Sequence, residues 1–254
     1  MVERRTPLIL ARVHSLTAVV WDFDGTLVDS RRRNYNVVCR IMTEVTRRPL
    51  EDVPALRSWQ VYDQVNRSYG NWRDLYRQEF GFSEEETDRV GRMWTRYQME
   101  DATPAAVFDG IASVLAALQF VPHGVVSMNG RHQIARSLRD ANLEDRFRRI
   151  LGWEDVDIRR QKPAPDGLLD CIGDLTGFGP GNVIYVGDHE TDVRCAVNAR
   201  QALADRGSEV RLTTIAAAFV GPIDFDSWAY QPDYTAHHPH EVIEIARRLL
   251  DGST

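Results

Sequence analysis

Three short runs along the chain are almost uniformly apolar: Thr17-Ala18-Val19-Val20-Trp21, Gly124-Val125-Val126-Ser127-Met128 and Val183-Ile184-Tyr185-Val186-Gly187. A strand with one wet face alternates apolar and polar residues, so unbroken runs predict strands buried on both faces, as in a parallel sheet. Weaker strand candidates lie at 210–220 and 233–236. Between the runs the apolar spacing turns helical, at 111–118, 133–141, 165–175, 191–203 and 241–250. Alternating strand and helix predicts an α/β fold: a Rossmann-like three-layer core with a central parallel sheet covered by helices on both faces. Ligands of such sheets bind outside the carboxyl ends of the strands, which is where Asp22, Ser127 and Asp188 fall.

Residues 32–103 break the alternation. They hold no convincing buried strand and read as several amphipathic helices rich in Arg, Trp and Tyr. The expected organisation is therefore a core of 1–31 and 104–254 with an inserted α-helical cap at 32–103, returning near Asp101-Ala102-Thr103-Pro104. Trp59, Tyr62, Tyr69, Trp72, Tyr76, Trp94 and Tyr97 all fall in this insertion. Most are expected to form its own small core, and some to line a substrate chamber.

Composition narrows the partners. A net charge of −6 argues against nucleic acid, whose phosphates are bound chiefly by Lys and Arg. Leu8-Ile9-Leu10 is cut short by Arg12 and His14, and no stretch nears the roughly 20 apolar residues that cross a bilayer. Neither export nor a membrane partner is expected. Cys39, Cys171 and Cys195 are far apart and form no C-x-x-C pair, which suits a reducing, cytoplasmic location.

The strand ends carry the candidate chemistry. In Asp22-Phe23-Asp24-Gly25-Thr26 two carboxylates meet a glycine that lets the chain turn sharply. A carboxylate so placed is a candidate nucleophile, although an Asp-Gly turn capping a strand is the plain alternative. Ser127 ends the second run, Lys162 opens a loop at Lys162-Pro163-Ala164-Pro165, and Asp188 and Asp192 follow the third at an i, i+4 spacing. A helix starting just after Gly187 would aim both of these acids at the pocket. Four converging acids call for a cation, and a hard divalent ion with oxygen ligands fits; magnesium is the usual choice where phosphate also binds.

The order Asp22-Phe23-Asp24-Gly25-Thr26-Leu27-Val28-Asp29-Ser30, then Ser127, Lys162-Pro163 and Gly187-Asp188 with Asp192, resembles the haloacid dehalogenase superfamily. The likeness is greatest to its phosphoglycolate phosphatase-like branch, whose cap is inserted just after the first motif. It implies a phosphatase in which Asp22 attacks phosphorus and Asp24 protonates the leaving alcohol and then activates water. It implies Mg2+ held by Asp22, the Asp24 carbonyl and Asp188, with Asp192 near or on the ion. Ser127, the Met128 N–H and Lys162 would bind the phosphoryl oxygens, with Gly25, Thr26 and Asn129 completing the substrate site. Met128 stands where relatives often have Asn, and Asn198-Ala199-Arg200 replaces their Ala-Gly.

The expected substrate is a small phosphorylated metabolite, a phosphoglycolate-like or sugar phosphomonoester, and the expected state a monomer or homodimer. A sugar-phosphate mutase of the same fold and a non-catalytic binding module are the alternatives. A dehalogenase would lack Asp24, and a phosphonate hydrolase needs a cap lysine that 32–103 does not contain. Arg31-Arg32-Arg33 reads as the solvated start of a helix, with one member facing the pocket. His237-His238-Pro239-His240 reads as a helix start, and His189 as solvent-facing or one step out from the ion.

Overall fold

In the computed structural model the described residues are 15–46, 48–69 and 72–251. Leu8-Ile9-Leu10, Arg12 and His14 lie outside them.

Eight strands and nine helices are described, in the order β1 (Leu16–Trp21), β2 (Val28–Asp29), α1 (Arg31–Thr46), α2 (Trp59–Arg67), α3 (Trp72–Asp74), α4 (Glu84–Glu100), β3 (Ala106–Val107), α5 (Ile111–Ala117), β4 (His123–Val126), α6 (Arg131–Asp140), β5 (Phe147–Leu151), α7 (Asp166–Thr176), β6 (Gly181–Gly187), α8 (Glu190–Asp205), β7 (Val210–Ala217), β8 (Tyr234–Ala236) and α9 (Glu241–Asp251). Six strands form one sheet in the order β5-β4-β1-β6-β7-β8, every pair parallel. The three strongest apolar runs are its central strands, β4, β1 and β6. Alternate residues divide between the faces: Val19 and Trp21 of β1, with Ile184 and Val186 of β6, pack under α5, α6 and α9. Ala18 and Val20, with Val183 and Tyr185, pack under α7 and α8. The three-layer α/β core expected from the pattern is therefore the observed one.

Three details differ. The run at 124–128 is a strand only over His123–Val126, because Ser127 and Met128 already belong to the turn that enters α6. His123 joins the strand by pairing with Val19 and Phe147, and Trp21 Nε1 donates to its Nδ1 at 3.1 Å. β5 was not anticipated: Arg148 and Arg149 interrupt its apolar pattern, as an edge strand tolerates and a central one does not.

Between β2 and β3 the chain forms α1 to α4, and Val37, Ile41, Leu56, Tyr62, Leu75, Tyr76, Val90 and Tyr97 bury one another in a cluster of their own. β2 and β3 pair antiparallel, Val28 opposite Val107 and Asp29 opposite Ala106, so the helical insertion leaves and re-enters at adjacent points. Ser83 caps α4 reciprocally with Glu86, and Ser58 caps α2 by accepting from the Val61 N–H.

Candidate active site

β1 ends at Trp21, and the Asp22 N–H donates to the Val186 carbonyl at 2.8 Å, tying the first acid to the neighbouring central strand. The chain then turns through Gly25 at φ +78°, a left-handed value that disfavours side chains. Space matters there as much as conformation. A methyl group on Gly25 would stand 2.1 Å from Asp188 Oδ2, and one on Gly187 would stand 2.5 Å from Asp192 Cβ. Both glycines clear volume into which carboxylates fold.

Asp22, Asp188 and Asp192 are buried, and one oxygen of each lies within 4.8 Å of the others. Asp188 and Asp192 do not share a helix face as the spacing predicted. α8 starts later, at Glu190, with His189 extended as its cap (φ −126°, ψ 149°). Asp192 bends back so that its Oδ2 accepts the His189 N–H at 3.2 Å, while Asp188 stays at the strand end. A reciprocal cap, not helical stacking, brings the two acids together. The same cap absorbs His189, whose Nδ1 accepts from the Thr191 N–H at 3.2 Å.

Lys162 is the only lysine among 31 basic residues. Its buried Nζ donates to Asp22 Oδ1 at 2.6 Å and to Asp192 Oδ1 at 2.7 Å. Tyr185 OH donates to the same Asp192 oxygen at 2.8 Å. Burial alone would lower the Lys162 ammonium, but Asp192 and Asp22 outweigh it and raise its pKa. Burial pushes the Asp22 carboxyl well above its ordinary value; Lys162 opposes this, and Asp192 and Asp188 add to it. Asp188 is pushed up to about 7 by burial, against the pull of Arg67, whose guanidinium stands 3.4 Å from Asp188 Oδ2. The pocket thus holds more negative charge than its cations neutralise. Its donor set is all oxygen and suits a hard divalent cation better than a soft one.

Asp24 stands apart from the three converging acids. Its Oδ2 accepts from Asn129 Nδ2 at 3.0 Å, and its Oδ1 faces the Arg33 guanidinium at 3.8 Å. Ser127 is buried on the cavity wall and accepts the Asn129 N–H at 3.0 Å. Met128 and Gly25 also line the cavity. Thr26 does not: it is fully buried, and its hydroxyl reaches Asp188 Oδ1 at 3.5 Å, a support for the acid instead of a wall.

The cavity above these groups has a volume of about 480 Å³. The helical stretch from α2 to α4 contributes Arg67, Tyr69, Trp72, Arg92 and Trp94, and the segment after β5 contributes Trp153. Trp153 Nε1 donates to Thr95 Oγ1 at 3.2 Å across the two. Tyr62 and Tyr76 serve both the wall and the buried helical cluster. The arginine run opens α1 as expected and Arg31 is the member that lines the pocket, but the run is not wholly solvated. Arg31 grips Asp29 with two hydrogen bonds, at 2.8 and 2.7 Å, and Arg33 is 2% exposed. Tyr185, Arg67 and Arg33 were not singled out by sequence as site residues. Tyr185 sits inside an apolar strand run, and only its period-2 register with Val183 hints at the α8 side.

A family of haloacid dehalogenase-like hydrolases matches the chain over residues 19–204. An N-acetylmuramic acid 6-phosphate phosphatase from Pseudomonas aeruginosa is 26% identical over 241 residues, covering 92% of this chain and 96% of its own. A phosphoglycolate phosphatase from Synechococcus elongatus is 25% identical over 242 residues, covering 92% and 99%. A solved structure from Lactobacillus plantarum, 18% identical, superposes with a TM-score of 0.71 over 91% of this chain and 99% of that one, sharing the fold. With the acids, the lysine and the turn glycine at the ends of the central strands, the chain belongs to the haloacid dehalogenase-like hydrolases.

Proposed function

We propose that the protein is a magnesium-dependent phosphatase that hydrolyses a small phosphomonoester through an aspartyl-phosphate on Asp22. The observation that carries this reading is the division of labour among the acids. Asp22, Asp188 and Asp192 converge around Lys162, whereas Asp24 turns its carboxylate aside to Asn129 and Arg33. One acid is placed to be a nucleophile and another to move a proton.

In the first step an Asp22 oxygen forms a bond to phosphorus while the bond to the leaving oxygen breaks, and Asp24 gives that oxygen its proton. In the second step water attacks the same phosphorus, Asp24 takes a proton from it, and inorganic phosphate leaves with Asp22 restored as a carboxylate. Ser127, the Met128 N–H and Lys162 hold the phosphoryl oxygens as charge spreads over them. Asp22, Asp188, Asp192 and the Asp24 carbonyl are the groups that would hold Mg2+, which when bound offsets the charge of phosphate and carboxylates. Tyr185 keeps Asp192 in place.

The helical insertion, 32–103, acts as a cap over this site, and the core is 1–31 with 104–254. Relatives act on phosphoglycolate and on N-acetylmuramic acid 6-phosphate. A cavity of about 480 Å³ walled by Trp72, Trp94 and Tyr69 suits a sugar-sized leaving group better than glycolate alone. The free thiols of Cys39, Cys171 and Cys195 agree with a cytoplasmic location. No helix among the described residues is long and apolar enough to cross a membrane.

A phosphate-release screen over phosphoglycolate, sugar phosphates and nucleoside monophosphates tests the reading. Release that EDTA abolishes, that added Mg2+ restores and that Asp22→Asn removes is the expected outcome. Full activity in Asp22→Asn protein would overturn the mechanism, and an isomerised sugar phosphate without free phosphate would identify a mutase.

A further inference from the structure

The arginine run that opens α1 is expensive where it stands. Three cations occupy the positive end of a helix with no acid in its first turn, against the helix dipole. Arg32 is exposed and Arg31 is paired with Asp29, but Arg33 is taken out of solvent altogether. A buried guanidinium ordinarily survives only with its donors satisfied. Among the described residues none hydrogen-bonds Arg33 Nε or NH2, and none hydrogen-bonds Asp24 Oδ1, which is also buried. These unsatisfied groups face each other: Arg33 NH2 lies 3.8 Å from Asp24 Oδ1, within ion-pair range and just beyond a hydrogen bond. Burial lowers the Arg33 pKa, Asp24 and Asp101 oppose that, and Arg136 adds to it. Arg33 is not on the cavity wall, so it does not meet substrate directly.

We propose that Arg33 is a positioning residue that acts through Asp24. Its guanidinium and the Asn129 amide hold one carboxylate oxygen each, fixing the plane in which Asp24 presents a proton to the leaving oxygen and later accepts one from water. Because Arg33 belongs to the first helix of the insertion and Asn129 to the core, Asp24 is aligned only when the two parts are docked. This inference rests on the phosphatase reading and adds a residue that the sequence placed on a solvated surface.

The test compares two esters of similar shape. p-Nitrophenolate leaves without help from an acid, whereas phenolate needs a proton from Asp24. In Arg33→Ala protein, kcat for phenyl phosphate is expected to fall by about 10²-fold or more, the size of a general-acid contribution, with KM changed less than about threefold. With p-nitrophenyl phosphate the pre-steady-state burst of nitrophenol should keep its rate within about threefold, and the turnover after it should be slow because water activation is lost. Guanidinium ion added to Arg33→Ala should recover part of the phenyl phosphate rate. Equal losses on the two esters, in the burst as in turnover, would reject the inference. Should Arg33→Ala fail to fold, Arg33→Gln carries the same comparison, since it keeps volume and removes the charge. A wild-type enzyme that released phosphate from neither ester nor any metabolite would instead reject the phosphatase reading.

Discussion

At the scale of single residues, the site is built from groups whose meaning depends on what stands at the neighbouring strand end. Asp22 and Asp188 were legible because each follows an apolar run, and a parallel sheet gathers such ends in one place, whereas Lys162 was legible only as the cation that opens the Lys162-Pro163-Ala164-Pro165 loop. Tyr185, Arg67 and Arg33 were not, because a tyrosine in an apolar run looks like core, and isolated or clustered arginines look like surface. Lys162 shows how tightly the legible set is fitted. In a chain that otherwise uses arginine for every cation, an ammonium is kept at a side chain only 5% exposed and within 2.7 Å of two carboxylates. A guanidinium is larger, planar and unable to sit as a point charge between them. Lys162→Arg should therefore lower kcat/KM by about 10²-fold or more despite keeping the charge, as loss of a transition-state donor does. Steady-state kinetics checks this, and near wild-type activity would show that charge alone suffices.

At the scale of elements, the central strands announced themselves and the edges did not. β5 carries two arginines, and β2 and β3 are two residues each, too short for any periodicity to register. α8 begins at Glu190, one residue from the 191–203 pattern, and its cap at His189 leaves Asp188 outside the helix. The β1–β4 pair is fastened by a polar link within the apolar layer. His123 Nδ1 accepts from Trp21 Nε1, so the ring proton is on Nε2, which donates to the Leu118 carbonyl at 3.1 Å. Protonating Nδ1 would break the first bond inside the core. Burial, with Arg146 assisting and the Leu118 carbonyl opposing, lowers the His123 pKa to about 4. Between its ordinary value and that one, the unfolded chain binds a proton that the folded chain refuses, so this part of the stability falls as pH falls. At roughly 1.4 kcal/mol per pH unit, the loss from pH 7.5 to 5 comes to about 2 kcal/mol. Urea unfolding of wild-type and His123→Asn protein at the two pH values should show wild type losing about that much more than the variant. Parallel losses would mean that His123 titrates normally in the fold.

At the scale of the whole molecule, the break in strand–helix alternation set residues 32–103 apart in the sequence, whereas the contacts that tie their helices to the strand ends were hidden, because they join residues far apart in the chain. Arg33 reaches Asp24, Arg67 reaches Asp188 and Trp153 reaches Thr95. The architecture itself suggests how to separate the parts. The insertion buries its own apolar cluster, so removing it exposes little of the two clusters that flank the sheet. It also departs from Asp29 and returns at Ala106, which are direct antiparallel partners. An Asn-Gly pair between those two residues, replacing residues 30–105, would close them with a two-residue turn of the hand that suits paired strands. The shortened chain is expected to keep the parallel sheet by circular dichroism and to unfold cooperatively, since the sheet and both of its helical layers remain. Its magnesium-dependent hydrolysis of p-nitrophenyl phosphate should persist at a kcat/KM lowered by about 10²-fold, because Asp22, Lys162 and Asp188 stay while Asp24 loses Arg33 and the cavity loses its aromatic wall. Selectivity among sugar phosphates should vanish with that wall. A shortened chain that unfolds would show that the core depends on the insertion for stability, and one that still discriminates among sugars would place specificity on the core side, around Trp153.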